Sequence, residues 1–183
     1  MGGIGTFGSQ FLPCHKTVGE CSDRTLQVWK LDLLAYEDAW YLQKELWNAR
    51  REGKIGDTLL LLQHSPTITL GSRGDEQNLL VEEDTLHREG IELYKTDRGG
   101  DVTYHGPGQL VGYPVVHLRT YGISVGEYVR SLEKVLILTL QEFGIRATKI
   151  PHGIGLWVNG EKIAFLGVRV RSGITTHGFS LNV

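Results

Sequence analysis

Gly155-Leu156-Trp157-Val158-Asn159-Gly160-Glu161-Lys162-Ile163-Ala164-Phe165-Leu166 sets the architecture. Two apolar runs flank Asn-Gly, the preferred two-residue type I′ turn, so the stretch reads as an antiparallel hairpin. Val168 to Arg171 continues its second strand or starts another after a bend at Gly167. Phe179-Ser180-Leu181-Asn182-Val183 reads as a further strand. Towards the N-terminus, Gln109 to His117 reads as a strand in which Pro114 argues for an edge or bulge position. Asp57 to Gln63 reads as a buried strand, and Leu26 to Leu31 alternates like another. Tyr36, Ala39, Trp40, Gln43, Leu46 and Trp47 lie at helical spacing opposite Glu37, Asp38, Lys44 and Glu45, and Gly53 ends that helix. Ser124 and Glu127 form a capping box ahead of Tyr128, Val129, Leu132, Val135, Leu136, Leu140 and Phe143, with Gly144 as the stop. Strands and helices mix without a βαβ rhythm. The expected class is α+β, a mixed sheet flanked by helices.

The 183 residues suggest one domain, large enough to bury roughly 70% of the unfolded surface. With 40% hydrophobic and 22% charged residues, the composition is that of an ordinary soluble globule. A net charge of −2 gives no reason to expect nucleic acid or anionic lipid as a partner. No apolar run approaches the ~20 residues of a membrane span. Residues 1–25 are rich in Gly, Ser and Thr, lack periodicity and read as a flexible N-terminal extension, with residues 26–183 as the folded domain. Cys14 and Cys21 lie in that extension. Their spacing does not suit zinc, and they read as reduced thiols of a cytoplasmic protein.

Arg98-Gly99-Gly100-Asp101-Val102-Thr103-Tyr104-His105-Gly106-Pro107-Gly108-Gln109 carries four glycines, an arginine and a histidine in twelve residues. Glycines at this density permit positive φ and close backbone approach to a ligand. Arg98 adds a fixed cation, and His105 a group that titrates near neutrality. The stretch fits neither a P-loop nor Gly-x-Gly-x-x-Gly. It reads as a ligand-contacting loop.

These twelve residues also resemble the signature of the octanoyltransferases, the lipoate-protein ligase B family. Gly160 to Arg169 resembles that family's lysine strand, and Gly173 to Asn182 its following His-Gly strand. Gln63-His64-Ser65-Pro66-Thr67-Ile68-Thr69-Leu70-Gly71 matches an earlier segment. The likeness runs from about Leu26 to Val183. It implies the biotin/lipoate protein ligase type of α/β sheet. It further implies octanoyl transfer from octanoyl-acyl carrier protein to a lysine of lipoyl domains, those of 2-oxoacid dehydrogenases and the glycine cleavage H protein. The reaction runs through a cysteine thioester and needs no cofactor or ATP. The expected location is the cytoplasm, or the mitochondrial matrix in a eukaryote.

Lys162 is the catalytic candidate, because it matches the lysine that assists the family's cysteine. From composition alone it reads as an exposed hairpin lysine. The implied substrate-binding set is Arg98, Gly99, Gly100, Asp101, Val102, Thr103, Tyr104, His105, Phe165, Leu166, Gly167, Gly178, Phe179 and Ser180, lining an elongated apolar pocket. Side-chain alternation puts Lys162, Ala164 and Leu166 on one face. His105 and His177 share a His-Gly context and stand between structural and functional roles. A metal site lacks a third ligand at a usable spacing. His64 and His152 receive no role. Arg169 and Arg171 alternate with valines and read as a solvated strand face.

In the family the cysteine follows the Leu-Asn strand in an Ile-x-Pro-Cys-Gly segment, whereas the sequence stops at Val183. The expectation is a domain lacking that C-terminal part, with acyl binding and little or no turnover. Two alternatives stand beside it. One is an ATP-dependent lipoate or biotin ligase, disfavoured by Arg-Gly-Gly-Asp where those ligases have more basic or serine-glycine-rich loops. The other is a non-catalytic module that binds acyl carrier protein or a lipoyl domain.

Overall fold

The computed structural model describes residues 25–151 and 153–183. Cys14, Cys21, the proposed extension and His152 lie outside these residues. Nine strands and four α-helices follow one another in the described chain. They are β1 (Leu26–Leu34), α1 (Tyr36–Arg51), β2 (Asp57–His64), β3 (Thr67–Leu70), α2 (Glu83–Arg88), β4 (Glu92–Lys95), β5 (Val102–His105), β6 (Gln109–Val115), α3 (Leu118–Tyr121), α4 (Val125–Glu142), β7 (Leu156–Val158), β8 (Glu161–Arg171) and β9 (Ile174–Asn182).

The main sheet runs β1-β2-β6-β9-β8-β7. Only its β1–β2 pair is parallel, so the sheet is mixed, as expected. A smaller sheet, β4-β3-β5, is also mixed. Its strands have four residues each, too few to show a period in the sequence.

Helix α1 buries Ala39, Leu46 and Trp47 against Leu60, Leu62, Val111, Tyr113, Val115 and Ile174. Helix α4 buries Leu136 and Leu140 against Leu156, Ala164 and Leu181, with Leu110 packed alongside. Val111 and Leu110 are adjacent on β6 and point to opposite faces, so the two helices cover opposite faces of the sheet. Glu127 and Ser124 form the reciprocal capping box at the start of α4.

The Asn159-Gly160 turn has φ of 51° and 86°, the positive pair that type I′ requires. Strand β8 then continues to Arg171 without a break at Gly167. Ser172 and Gly173 repeat the device, with φ of 53° and 81°, and return the chain along β9.

Pro114 departs from the expected edge position, because β6 lies inside the sheet between β2 and β9. The ladder to β9 runs from Gln109↔Asn182 to Gly112↔Phe179 and stops before the proline. Gly178 lies against the ring: a Cβ there would meet Pro114 Cδ at 2.5 Å. Next to it His177 takes φ +54°. No bulge accommodates the proline either: the pairing resumes in the same register at His117↔Ile174, and Pro114, with no N–H to give, simply leaves a gap in the ladder to β9.

Candidate functional site

The loop after β4 begins at Thr96, carries Asp97 and Arg98, and lies over β8. Glycine makes close approach of the loop possible at three places, two on β8 and one just after β3. A Cβ at Gly99 would sit 2.9 Å from the carbonyl oxygen of Val168, and one at Gly167 would sit 2.7 Å from that of Gly99. One at Gly71 would be 2.4 Å from the oxygen of Gly100. Glycine here serves loop-on-strand packing as much as positive φ, which only Gly100 and Gly108 of this stretch adopt.

Arg98 is buried, and all its hydrogen bonds go to uncharged oxygens. Nε donates to Thr69 Oγ1 (2.9 Å), Nη1 to Gly99 O (3.0 Å), and Nη2 to Thr69 O and Asp101 O (both 2.6 Å). The guanidinium thus ties loop to β3 and leaves a positive charge under the site without a carboxylate on it. Asp101 faces away and accepts from Asp75 N (3.2 Å) and Asn78 Nδ2 (2.6 Å).

A small, open cleft lies where this loop meets β8 and β9. Arg98, Thr103, His105, Phe165, Leu166, Gly167, Gly178, Phe179 and Ser180 line it, together with Tyr113 and His177. Gly99, Gly100, Asp101, Val102 and Tyr104 shape the loop without lining the cleft, and Tyr104 is half exposed. Register orders the wall: Phe165 faces Ser180, Leu166 faces Phe179, and Gly167 faces Gly178.

Three histidines sit at the Arg98 end with tautomers fixed by their partners. His64 Nδ1 donates to Leu34 O (2.8 Å), so Nε2 accepts from Tyr113 Oη (2.8 Å). Gln109 Nε2 donates to Tyr104 O and Asn182 Oδ1, which leaves Oε1 to accept from His105 Nδ1 (2.7 Å). Burial pushes His105 down to about 4 despite that hydrogen bond. His105 stacks on Tyr36 and meets His64 edge-on.

His177 is held by two separate elements. Its backbone N–H donates to Gln43 Oε1 (2.6 Å), and its Nε2 meets Asp97 Oδ1 at 2.8 Å. The other oxygen of Asp97 holds Arg169. Burial lowers the His177 pKa, while the Asp97 hydrogen bond opposes that shift. His177 Nδ1 and Ser180 Oγ are buried without a hydrogen-bond partner among the described residues. Arg169 is therefore an ion-paired residue rather than part of a solvated face. Arg171 is exposed and lies over the Trp47 ring (5.4 Å). Asp97 and Tyr113 carry no local signal and Gln43 reads only as part of a helix face, since their partners are 49 to 134 positions away.

Lys162 stands beside the cleft, outside its lining. Its Nζ is 4.8 Å from the ring centroid of Phe165, a cleft residue, and 5.1 Å from that of Trp157. It is half-buried, makes no ion pair among the described residues, and burial holds its pKa below that of an ordinary lysine. Among the described residues no group of three His, Cys, Asp or Glu side chains is placed to hold a metal, and no helix is long and apolar enough to cross a membrane.

The lipoyl protein ligase A/B catalytic domain matches residues 35–183. An octanoyltransferase of Solibacter usitatus is 49% identical over 154 residues, covering 84% of this chain and 70% of that protein. One from Alkaliphilus metalliredigens is 48% identical over 159 residues, covering 86% and 73%. Among solved structures, lipoate-protein ligase A bound with ATP aligns with a TM-score of 0.68 at 16% identity, over 86% of this chain and 66% of that one. Biotin acetyl coenzyme A carboxylase synthetase from Helicobacter pylori aligns at 0.54 and 14% identity, over 87% and 62%. These two structural likenesses concern the fold alone.

Proposed function

This chain belongs to the octanoyltransferases of the lipoyl protein ligase A/B catalytic-domain family, and from that premise we propose that it moves an octanoyl group from octanoyl-acyl carrier protein to a lysine of a lipoyl domain. Residues 26–183 carry the acyl-binding part of the catalytic domain. The observation that supports this best is the pairing of the Phe165, Leu166 and Phe179 wall with a desolvated, carboxylate-free Lys162 beside it. Each buried methylene contributes about 0.8 kcal/mol, so an eight-carbon chain along that wall gains several kcal/mol.

The transfer is a double displacement on the acyl carbonyl. A cysteine thiolate attacks the donor thioester, and the carrier's sulfur leaves and takes a proton from the Lys162 ammonium. The lipoyl lysine then attacks the enzyme thioester with its neutral amine. That nitrogen gives its proton to the Lys162 amine, and the cysteine sulfur leaves. The donor is already activated, so ATP has no part. A lysine with a lowered pKa suits both proton transfers, since its two forms lie closer in energy. The reaction belongs in a compartment where thiols stay reduced, the cytoplasm or a mitochondrial matrix.

No cysteine lies among the described residues. The family resemblance puts the acyl-carrying thiol in an Ile-x-Pro-Cys-Gly setting, which neither Cys14 nor Cys21 has. The 183-residue chain is expected to bind octanoyl-acyl carrier protein more tightly than the unacylated carrier. It is also expected to show no hydroxylamine-sensitive octanoyl adduct on Cys14 or Cys21 by intact mass. An adduct on either cysteine that passes to a lipoyl domain would contradict the reading, as would equal affinity for both carriers. Lipoate-dependent ATP–pyrophosphate exchange would instead indicate a ligase.

A further inference from the structure

Lys162 reaches its place through a slot that lies outside the cleft. Gly155 has φ +129°, and a Cβ on it would lie 2.6 Å from Lys162 Cε, 3.3 Å from Nζ and 2.4 Å from the carbonyl oxygen of Ala164. The stem of Lys162 therefore crosses bare backbone. Beyond the slot, the ammonium lies within cation–π range of both Trp157 and Phe165.

The hairpin aims the indole. The register slips between Leu156 and Trp157, which sets Trp157 opposite Lys162. Two hydrogen bonds to Thr148 of 2.8 Å each, one in each direction, fix the backbone there. Gly153 leaves room for the ring, since a Cβ on it would be 2.8 Å from Trp157 Cη2.

The carboxylates around the slot are engaged elsewhere or turned away. Glu133 on α4 accepts from Gly155 N (3.4 Å) and pairs with Lys149 (3.5 Å). Glu161 precedes Lys162 on β8 and is exposed. Neither forms an ion pair with Lys162. A carboxylate would lock the lysine as a cation, whereas an aromatic face attracts the cation but accepts no proton.

We propose that Trp157 and Gly155 are positioning residues for the acyl transfer. Together they hold the Lys162 ammonium beside the cleft on an indole face and a side-chain-free backbone, free to pair with a thiolate and to exchange a proton. The proposal rests on the role given to Lys162 above, and its test reads Lys162 directly, whether or not acyl transfer occurs.

Trace acetylation of the intact chain across a pH series, followed by peptide mass spectrometry, gives a titration midpoint for each lysine. In the wild type Lys162 is expected to have a lower midpoint than exposed Lys54. Trp157→Leu keeps an apolar wall but removes the π face, so the midpoint should fall further, by about half to one pH unit. Trp157→Phe should restore most of that shift. Gly155→Ala closes the slot and should expel the ammonium, raising the midpoint towards the ordinary value of about 10.4. An unchanged or raised midpoint in Trp157→Leu would overturn the role of the indole. A Gly155→Ala protein with wild-type Lys162 reactivity would overturn that of the slot. If Gly155→Ala does not fold, Trp157→Leu and its Phe rescue decide the proposal. Equal binding of acylated and unacylated carrier alongside the predicted Lys162 midpoints would count against the function and leave the slot standing.

Discussion

His105 is uncharged at neutral pH because the fold leaves no water for its cation. Its pKa is 6.5 in the open chain and about 4 in the folded one. Between these values the unfolded chain binds a proton that the folded chain refuses. Stability is therefore full above pH 6.5 and declines as pH falls towards 4, by about 3 kcal/mol for this group. Burial moves His64 and His177 the same way, which steepens the decline. Urea unfolding at pH 7 and pH 4.5 should show a lower free energy at the acid value. Equal stabilities would contradict the burial of neutral imidazoles. Asp97→Asn tests a second contact, since it removes the charge shared by His177 and Arg169. Asp97 is about one-third exposed, so a loss of only about 1 kcal/mol is expected from the same unfolding experiment. The His-Gly context in the sequence pointed to His105 and His177. It could not supply Asp97, which lies 80 positions from His177 and meets it only when the loop folds onto β9.

Turns and glycines divide into two kinds at the level of elements, and substitution separates them. Gly160 has φ +86° and nothing within 4 Å of a Cβ, so alanine there carries only backbone strain, about 1 kcal/mol. At Gly178 a Cβ would lie 2.3 Å from the oxygen of Gly112 and 2.5 Å from Pro114. Alanine there must push β6 and β9 apart, with an expected loss of about 3 kcal/mol. Thermal unfolding of the two variants should rank them in that order, and the reverse would show that β6 and β9 have room to give. The first kind is legible in sequence, because Asn-Gly names its own turn. The second is not, because a close approach between strands depends on residues 66 positions apart. Ser172-Gly173 makes a turn of the same kind as Asn159-Gly160 and is the weaker signal, since serine seldom adopts positive φ.

For the molecule as a whole, amphipathic periodicity and caps exposed both long helices and most of the main sheet. The small β4-β3-β5 sheet stayed hidden, because four-residue strands carry no period. That sheet nonetheless positions the site: Thr69 on β3 holds Arg98, and Thr103 and His105 on β5 line the cleft. The cleft thus forms where two sheets meet, and a reading by single elements finds its residues without their arrangement. An octanoyl thioester of pantetheine with a photoreactive diazirine at the chain end tests this surface without requiring turnover. After irradiation and digestion, label is expected on peptides that contain Phe165, Leu166 and Phe179, and excess octanoyl-acyl carrier protein should suppress it. Label on other surfaces, or label that the acylated carrier does not displace, would contradict octanoyl binding in this cleft.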